Sequence, residues 1–222
     1  MQYLYHKEAG KSSLLLTGDE HRYIFKVRRH REGETIALRN LEDGCIYFYT
    51  ILLLDKREAN LLLESFRSLT VKAERDLHIA WCVIDPKSVE KLLPTLNEMG
   101  VSKITFVYCR RSQKSFKPDF KRMEKILLNS SQQCGRSSLM VLDGCDSLEN
   151  FLLKHPRSVM LNFSEQSLRE KSEVETMVVG CEGGFTEDEV ALFKLENIMG
   201  LDTPLILKSE SAVCAVASKL LL

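Results

Sequence analysis

From residue 76 onward the sequence alternates short apolar runs with helical stretches, and this alternation limits the available folds more than any other feature. DLHIAWCVI (76–84), KITFVYC (103–109), LMVLDG (139–144), SVMLNF (158–163) and TMVVG (176–180) are the apolar runs. A helix opening at Pro86 and ending at Gly100 separates the first two, with a kink expected at Pro94. The amphipathic PDFKRMEKILLNSSQQCG (118–135) follows, with Gly135 as its C-terminal cap, and a further helix spans Ser147 to His155. Short apolar strands joined through helices imply a mostly parallel sheet with both faces covered, hence an α/β fold.

The first 70 residues have a different texture. QYLYH (2–6), LLLT (14–17), ETIALRN (34–40), CIYFYTILLL (45–54) and ANLLLESF (59–66) read as strands between Gly or charged turns. One helical piece interrupts them, with Asp19 as its cap and Ile24 facing inward beside Val27 or Phe25. This predicts a small β-barrel of about five strands over residues 1–71 and an α/β domain over 72–222, with the boundary between Leu69 and Arg75.

Composition narrows the classes of function. The seven cysteines contain no Cys-x-x-Cys pair, and the five histidines are scattered; the expectation is a reducing cytosol, no disulfide framework and no metal. No apolar run reaches membrane-spanning length and no signal peptide opens the chain, so a cytoplasmic protein without a membrane partner is expected. The net charge is zero but unevenly spread: residues 72–136 carry 13 Lys/Arg against 7 Asp/Glu, and residues 137–222 carry 7 against 14. A basic middle face can meet a polyanion while the acidic part serves another ligand.

Two basic stretches fit an RNA or DNA track. HRYIFKVRRHR (21–31) holds Arg22, Lys26, Arg28, Arg29 and Arg31 with interleaved Tyr23 and Phe25. RRSQKSFKPDFKRMEK (110–125) brings Arg110, Arg111, Ser112 and Lys114 to the carboxyl end of a strand, where α/β proteins place ligands. Either stretch could also be a solvated face. Arg136, just after Gly135, suits a phosphate or a carboxylate.

VVGCEGGFTEDEV (178–190) joins a strand, a glycine turn and a helix start. It lacks the Lys-Ser/Thr of a phosphate loop, and its Gly-x-x-Gly-Gly order is not a dinucleotide fingerprint. An acidic turn repels phosphate and suits a phosphate-free ligand carrying positive charge. Glu182 could face such a centre or act as a base. Thr186 with Glu189 reads as a capping box. Near the end, a strand-like PLIL (204–207) leads through Lys208-Ser209-Glu210-Ser211 into a helix of small residues. The Ser-x-Ser there is an ordinary N-cap pattern.

Taken together, five segments resemble one family. GCEGGFTEDEV, PLILKSESAVCAV, CGRSS, MGVSKITFVYCRRS and HRYIFKVRRHREGE are similar, in order, to blocks of the RsmE family, the 16S ribosomal RNA (uracil-N3)-methyltransferases of the SPOUT superfamily. The resemblance implies a PUA-like β-barrel that helps hold RNA and a SPOUT domain with a deep trefoil knot. It implies S-adenosylmethionine as cofactor, 16S rRNA of the small ribosomal subunit as partner, and a homodimer.

Carried over by position, the cofactor loops are Leu161-Asn162, Gly180 to Gly184 (with Glu182 and Gly183), and Leu201 to Leu207 (with Pro204, Leu205 and Ile206), followed by Ser209. Arg136, Arg111 and Ser112 line the substrate side. Arg136 and Lys208 are candidates to stabilise a uracil anion, and Glu182 or Glu210 to remove the N3 proton. Cys181 stands where the family has Pro, Gln132 where it has Glu, and Asp202-Thr203 where it has Leu-Gly. The competing readings are a SPOUT methyltransferase acting on ribose 2′-O or tRNA, and a non-catalytic RNA-binding or ribosome-assembly protein.

Overall fold

The computed structural model of the chain describes residues 2–169 and 173–222. These form two compact units. The first comprises residues 1–72 and 131–138, and the second 73–130 and 139–222.

The first unit contains β1 (Leu4–Tyr5), β2 (Ser13–Thr17), α1 (Gly18–His21) running into a wide turn at Arg22–Val27, β3 (Thr35–Arg39), β4 (Cys45–Leu54) and β5 (Glu58–Ser68). The five strands pair in the order β1-β3-β4-β5-β2, antiparallel except for β1 with β3. The result is a curled half-barrel in which β1 and β2 are edges, and the hydrogen-bonded order does not close among the described residues. Register shifts at Phe48/Tyr49 and Ile51/Leu53 bend β4 against β5. Alternation decides the inner face: Leu14 and Leu16 of β2 are buried while Ser13, Leu15 and Thr17 are exposed. They pack with Ile24, Ile36, Leu38, Tyr49, Ile51 and Leu61.

The cap of α1 departs from expectation. Thr17 occupies the capping position without a side-chain bond, and Asp19 lies inside the first turn. There its charge faces the positive helix end instead of capping it. Val27 is exposed, whereas Phe25 packs against the core beside the buried Ile24, so the pair Ile24 and Phe25 carries the inward face of that turn. Residues 131–138 complete this unit. Tyr3 Oη donates to the Arg136 carbonyl at 2.7 Å, the Tyr5 amide donates to Gln132 Oε1 at 2.8 Å, and Val71 N donates to Ser137 Oγ at 2.9 Å.

The second unit is built on β6 (His78–Cys82), β7 (Lys103–Val107), β8 (Val141–Cys145), β9 (Val159–Leu161), β10 (Thr176–Val179) and β11 (Ile198–Met199). All pair in parallel, in the order β11-β9-β10-β6-β7-β8. The helices are α2 (Pro86–Met99), α3 (Phe120–Cys134, whose residues 120–130 belong to this unit), α4 (Leu148–Lys154), the single turn α5 (Glu187–Val190) and α6 (Ser209–Leu221). Asp85 caps α2 by accepting from Ser88 N, and Gly100 ends it with φ 98°. Gly135 ends α3 with φ 85°. Trp81, Phe106, Ile79, Ile104 and Met177 make the sheet core, covered on both faces as the apolar runs predict.

Three expectations need correction. The strand-like run 204–207 is an exposed loop, with Leu205 70% and Ile206 83% exposed. Pro204 lacks a donor, and Thr203 Oγ accepts from Leu205 N, so the segment turns where it would have to pair. The edge strand is instead β11, a few residues earlier. Next, against the expectation of no disulfide framework, Cys82 and Cys109 are joined; β6 and β7 run side by side and bring their Cα atoms to 5.9 Å. Third, Ser209 is not the cap of α6. Lys208 holds that position, and Ser209 begins the helix. Among the described residues no helix is long and apolar enough to cross a membrane, and no group of His, Cys, Asp or Glu could hold a metal ion.

Candidate functional site

Because every strand of the sheet is parallel, all carboxyl ends lie on one edge. β11, β9 and β10 are neighbours there, so the segments following them, 200–207, 162–168 and 180–185, emerge side by side. The first two are tied directly. Asn162 N donates to Met199 O at 3.0 Å, Leu168 N to Gly200 O at 2.7 Å, and Gly200 N to Gln166 O at 2.7 Å. A Cβ at residue 200 would stand 2.8 Å from Ser164 O, so glycine is what lets these two strands of loop touch.

The Gly180–Phe185 turn is held at both ends. At its start, Ser209 Oγ donates to Gly180 O at 2.5 Å and accepts from Trp81 Nε1 at 2.8 Å. Trp81 is fully buried and Ser209 is 4% exposed, so this short chain of bonds is shielded from water. At the far end, Arg111 Nη1 donates to Gly183 O at 2.7 Å and to Phe185 O at 3.2 Å. The Arg111 stem lies over Gly183, where a Cβ would be 3.2 Å from Arg111 Cβ and 3.3 Å from its Cδ. Gly184 has φ 66°, the left-handed region that glycine enters without strain. Cys181, where a proline was expected from the resemblance, is buried, and burial pushes its thiol pKa up.

Glu189 joins the turn to the loop after β7. Its buried carboxylate accepts from Thr186 N at 2.8 Å and Thr186 Oγ at 3.1 Å, and Glu189 N donates back to Thr186 Oγ, which is the predicted capping box. It also accepts from Arg110 N at 2.8 Å. The Cys109–Ser112 turn is closed by Cys109 N donating to Ser112 Oγ and Ser112 N to Cys109 O. Ser112 is therefore buried and occupied, whereas Arg110, Arg111 and Lys114 are exposed. A cavity of about 440 Å³ opens beside them, lined by Tyr108, Arg110, Lys114, Ser147 and Glu149. A second, of about 930 Å³, lies at the amino edge of the sheet among His78, His155, Arg157 and Thr176. It shares no residue with the sequence candidates.

Glu182 is exposed on the tip of the turn. Glu210 follows Ser209, and its Oε2 is buried with no hydrogen-bond partner among the described residues. Lys208 and the run Pro204 to Leu207 are exposed. Leu161 ends β9 and is half-buried, and Leu201 follows Gly200. The remaining candidates fall in the first unit. Arg22, Lys26, Arg28, Arg29 and Arg31 are exposed and make no ion pair among the described residues. Arg28 Nε donates to Tyr23 Oη at 3.1 Å. Arg136 is buried there, its carbonyl bound by Tyr3. Sequence reasoning missed Trp81 and the second partner of Glu189, since nothing local marks bonds made across 128 and 79 residues.

This edge, where three loops, two of them bearing glycine, emerge from adjacent parallel strands, is the edge at which α/β proteins place ligands. Residues 71–221 match a family described as the RNA methyltransferase domain. A Helicobacter pylori protein called ribosomal RNA small subunit methyltransferase E is 36% identical over 98% of both chains. A namesake from Buchnera aphidicola is 24% identical over 89% of this chain and 83% of its own. A Neisseria gonorrhoeae ribosomal RNA small subunit methyltransferase E solved with S-adenosyl methionine superposes with TM-score 0.80 at 20% identity, covering 98% and 95% of the chains. A Legionella pneumophila protein solved with bound SAM superposes with TM-score 0.81 at 20% identity, covering 99% and 95%. The chain belongs to the RNA methyltransferase family that includes ribosomal RNA small subunit methyltransferase E.

Proposed function

We propose that the protein transfers a methyl group from S-adenosylmethionine to N3 of a uridine in 16S rRNA of the small ribosomal subunit. The observation that carries this reading is the Gly180–Phe185 turn, held at both ends on the carboxyl edge, in a chain so similar to a named small-subunit rRNA methyltransferase. The turn is acidic and has no phosphate-binding lysine, which suits a cationic, phosphate-free cofactor. Gly180, Gly183 and Gly184 offer backbone to it. Leu161, Asn162 and Leu201 flank it, and the exposed Pro204, Leu205, Ile206 and Leu207 supply apolar surface for a purine. Ser209, assigned to the cofactor by resemblance, works from behind by fixing Gly180 O.

When bound, the cofactor supplies a methyl carbon made electrophilic by the adjacent sulfonium. The chain's own task is positioning and proton removal. Glu210 takes the N3 proton, since its buried Oε2 has no other hydrogen on it among the described residues. Lys208, two residues before it in sequence, offsets the negative charge that develops on the uracil oxygens. Glu182 faces the positive centre of the cofactor. The uridine must be unpaired for N3 to be reached.

The exposed Arg22, Lys26, Arg28, Arg29 and Arg31 of the first unit, a PUA-like domain on this reading, contact phosphates, as do Arg110 and Lys114 of the second. The reading extends to a SPOUT knot formed by the loops after β9, β10 and β11, a homodimer, and a cytoplasmic location. Mass spectrometry of small-subunit rRNA nucleosides tests the central step. A deletion strain should lack 3-methyluridine and regain it with the intact gene but not with Glu210→Gln. Full-level 3-methyluridine in the deletion strain would refute the target.

A further inference from the structure

We propose that Arg111 couples the two ligands: one nitrogen of its guanidinium holds the cofactor turn while its other edge takes a phosphate oxygen of the RNA backbone. This rests on the function proposed above and assigns one residue a bridging role within it.

Five observations lead there. Nη1 alone bonds the turn, to Gly183 O and Phe185 O. Nε and Nη2 donate to nothing among the described residues, although the guanidinium has five N–H donors in a planar fork. No carboxylate of the described residues pairs with Arg111, and the side chain is exposed. Its backbone is fixed from both sides, by Arg110 N on Glu189 Oε1 and by the Cys109–Ser112 turn, so the free edge is presented and does not wander. Arg110 and Lys114, both exposed, add cations within the same loop.

The sign of the coupling follows from two effects. A phosphate on the Nε–Nη2 edge fixes the guanidinium plane and so holds Nη1 on the turn carbonyls. The cofactor then meets a turn already ordered and binds at less entropic cost. The phosphate also screens the guanidinium charge, which otherwise opposes a sulfonium nearby. Both make RNA tighten the cofactor, and by linkage the cofactor tightens RNA by the same factor. Arg111 is thus a positioning residue and not a catalytic one.

The experiment is calorimetry of S-adenosylmethionine binding to the full chain, with and without a saturating 16S rRNA transcript. The wild type should bind the cofactor about five- to tenfold more tightly with the transcript, within the range of measured couplings. Arg111→Ala should bind it with a ratio within about twofold of one. Arg111→Lys keeps the charge but offers a single ammonium in place of the fork, so it too should lose the ratio while retaining most RNA affinity. A thermal melt of each variant confirms folding. If either variant keeps the wild-type ratio, or if the wild type shows none, the coupling role is overturned and the methyltransferase reading stands. If the wild type binds no cofactor at all, both fall.

Discussion

Ser209→Ala removes one oxygen that serves two bonds. Trp81 Nε1–H then has no acceptor inside a fully buried side chain, and Gly180 O loses its donor. An unsatisfied buried donor costs about 1–3 kcal/mol and a lost neutral bond about 1 kcal/mol, so the expected destabilisation is about 2–4 kcal/mol. For a chain of 222 residues that corresponds to a fall in melting temperature of roughly 5–12 °C. Trp81 is the chain's single tryptophan, so urea unfolding followed by its fluorescence reports from the site itself. The decisive control is a double-mutant cycle with Trp81→Phe, followed by circular dichroism. Without the indole donor, Ser209→Ala should cost only about 1 kcal/mol. A loss below about 0.5 kcal/mol in the wild-type background, or equal losses in both backgrounds, would refute the claim that Ser209 Oγ satisfies Trp81.

Other predictions concern the same unit. Gly183→Ala places a Cβ 3.2 Å from the Arg111 Cβ and loosens the clamp on the turn. Cofactor affinity in a calorimetric titration should fall roughly fivefold, about 1 kcal/mol of a charge-assisted bond, with stability nearly unchanged. His78 is half-buried beside Thr105 Oγ, and burial lowers its pKa to about 4. The folded state stays neutral where the unfolded chain, with a pKa of about 6.5, takes up a proton. Stability is therefore full above pH 6.5 and declines as pH falls toward 4. Urea midpoints measured across that window should fall with pH, and His78→Gln should flatten the trend.

The sheet was legible because its signals are local. β6, β7 and β10 are uninterrupted apolar runs, Pro86 opens α2, Gly100 and Gly135 close helices with positive φ, and Thr186 with Glu189 builds its box within four residues. Strand order was not legible, nor was β11, whose two residues owe their pairing entirely to β9. The glycine turn was legible as a turn between strand and helix, but the reason for each glycine was not. Gly183 is explained by Arg111, 72 residues away, and Gly180 O by Ser209, 29 residues away. Arg111 itself read as an RNA contact because a cation after a strand carries no sign of which carbonyls it will meet. The apolar run before it placed the basic loop on the carboxyl edge and could say nothing of Glu189 reaching Arg110 N.

Residues 131–138 give the first unit a late-arriving part. Tyr3, Tyr5 and Val71 find their partners in a segment made only after the chain has passed through α2, β7 and most of α3. During vectorial synthesis the half-barrel therefore cannot finish when residue 72 appears. It must wait for about 60 further residues, with its first strand incompletely satisfied until then. A gene cut at the boundary between the units would yield a first half lacking its own last piece. The two units are thus interleaved along the chain, unlike beads joined by a linker.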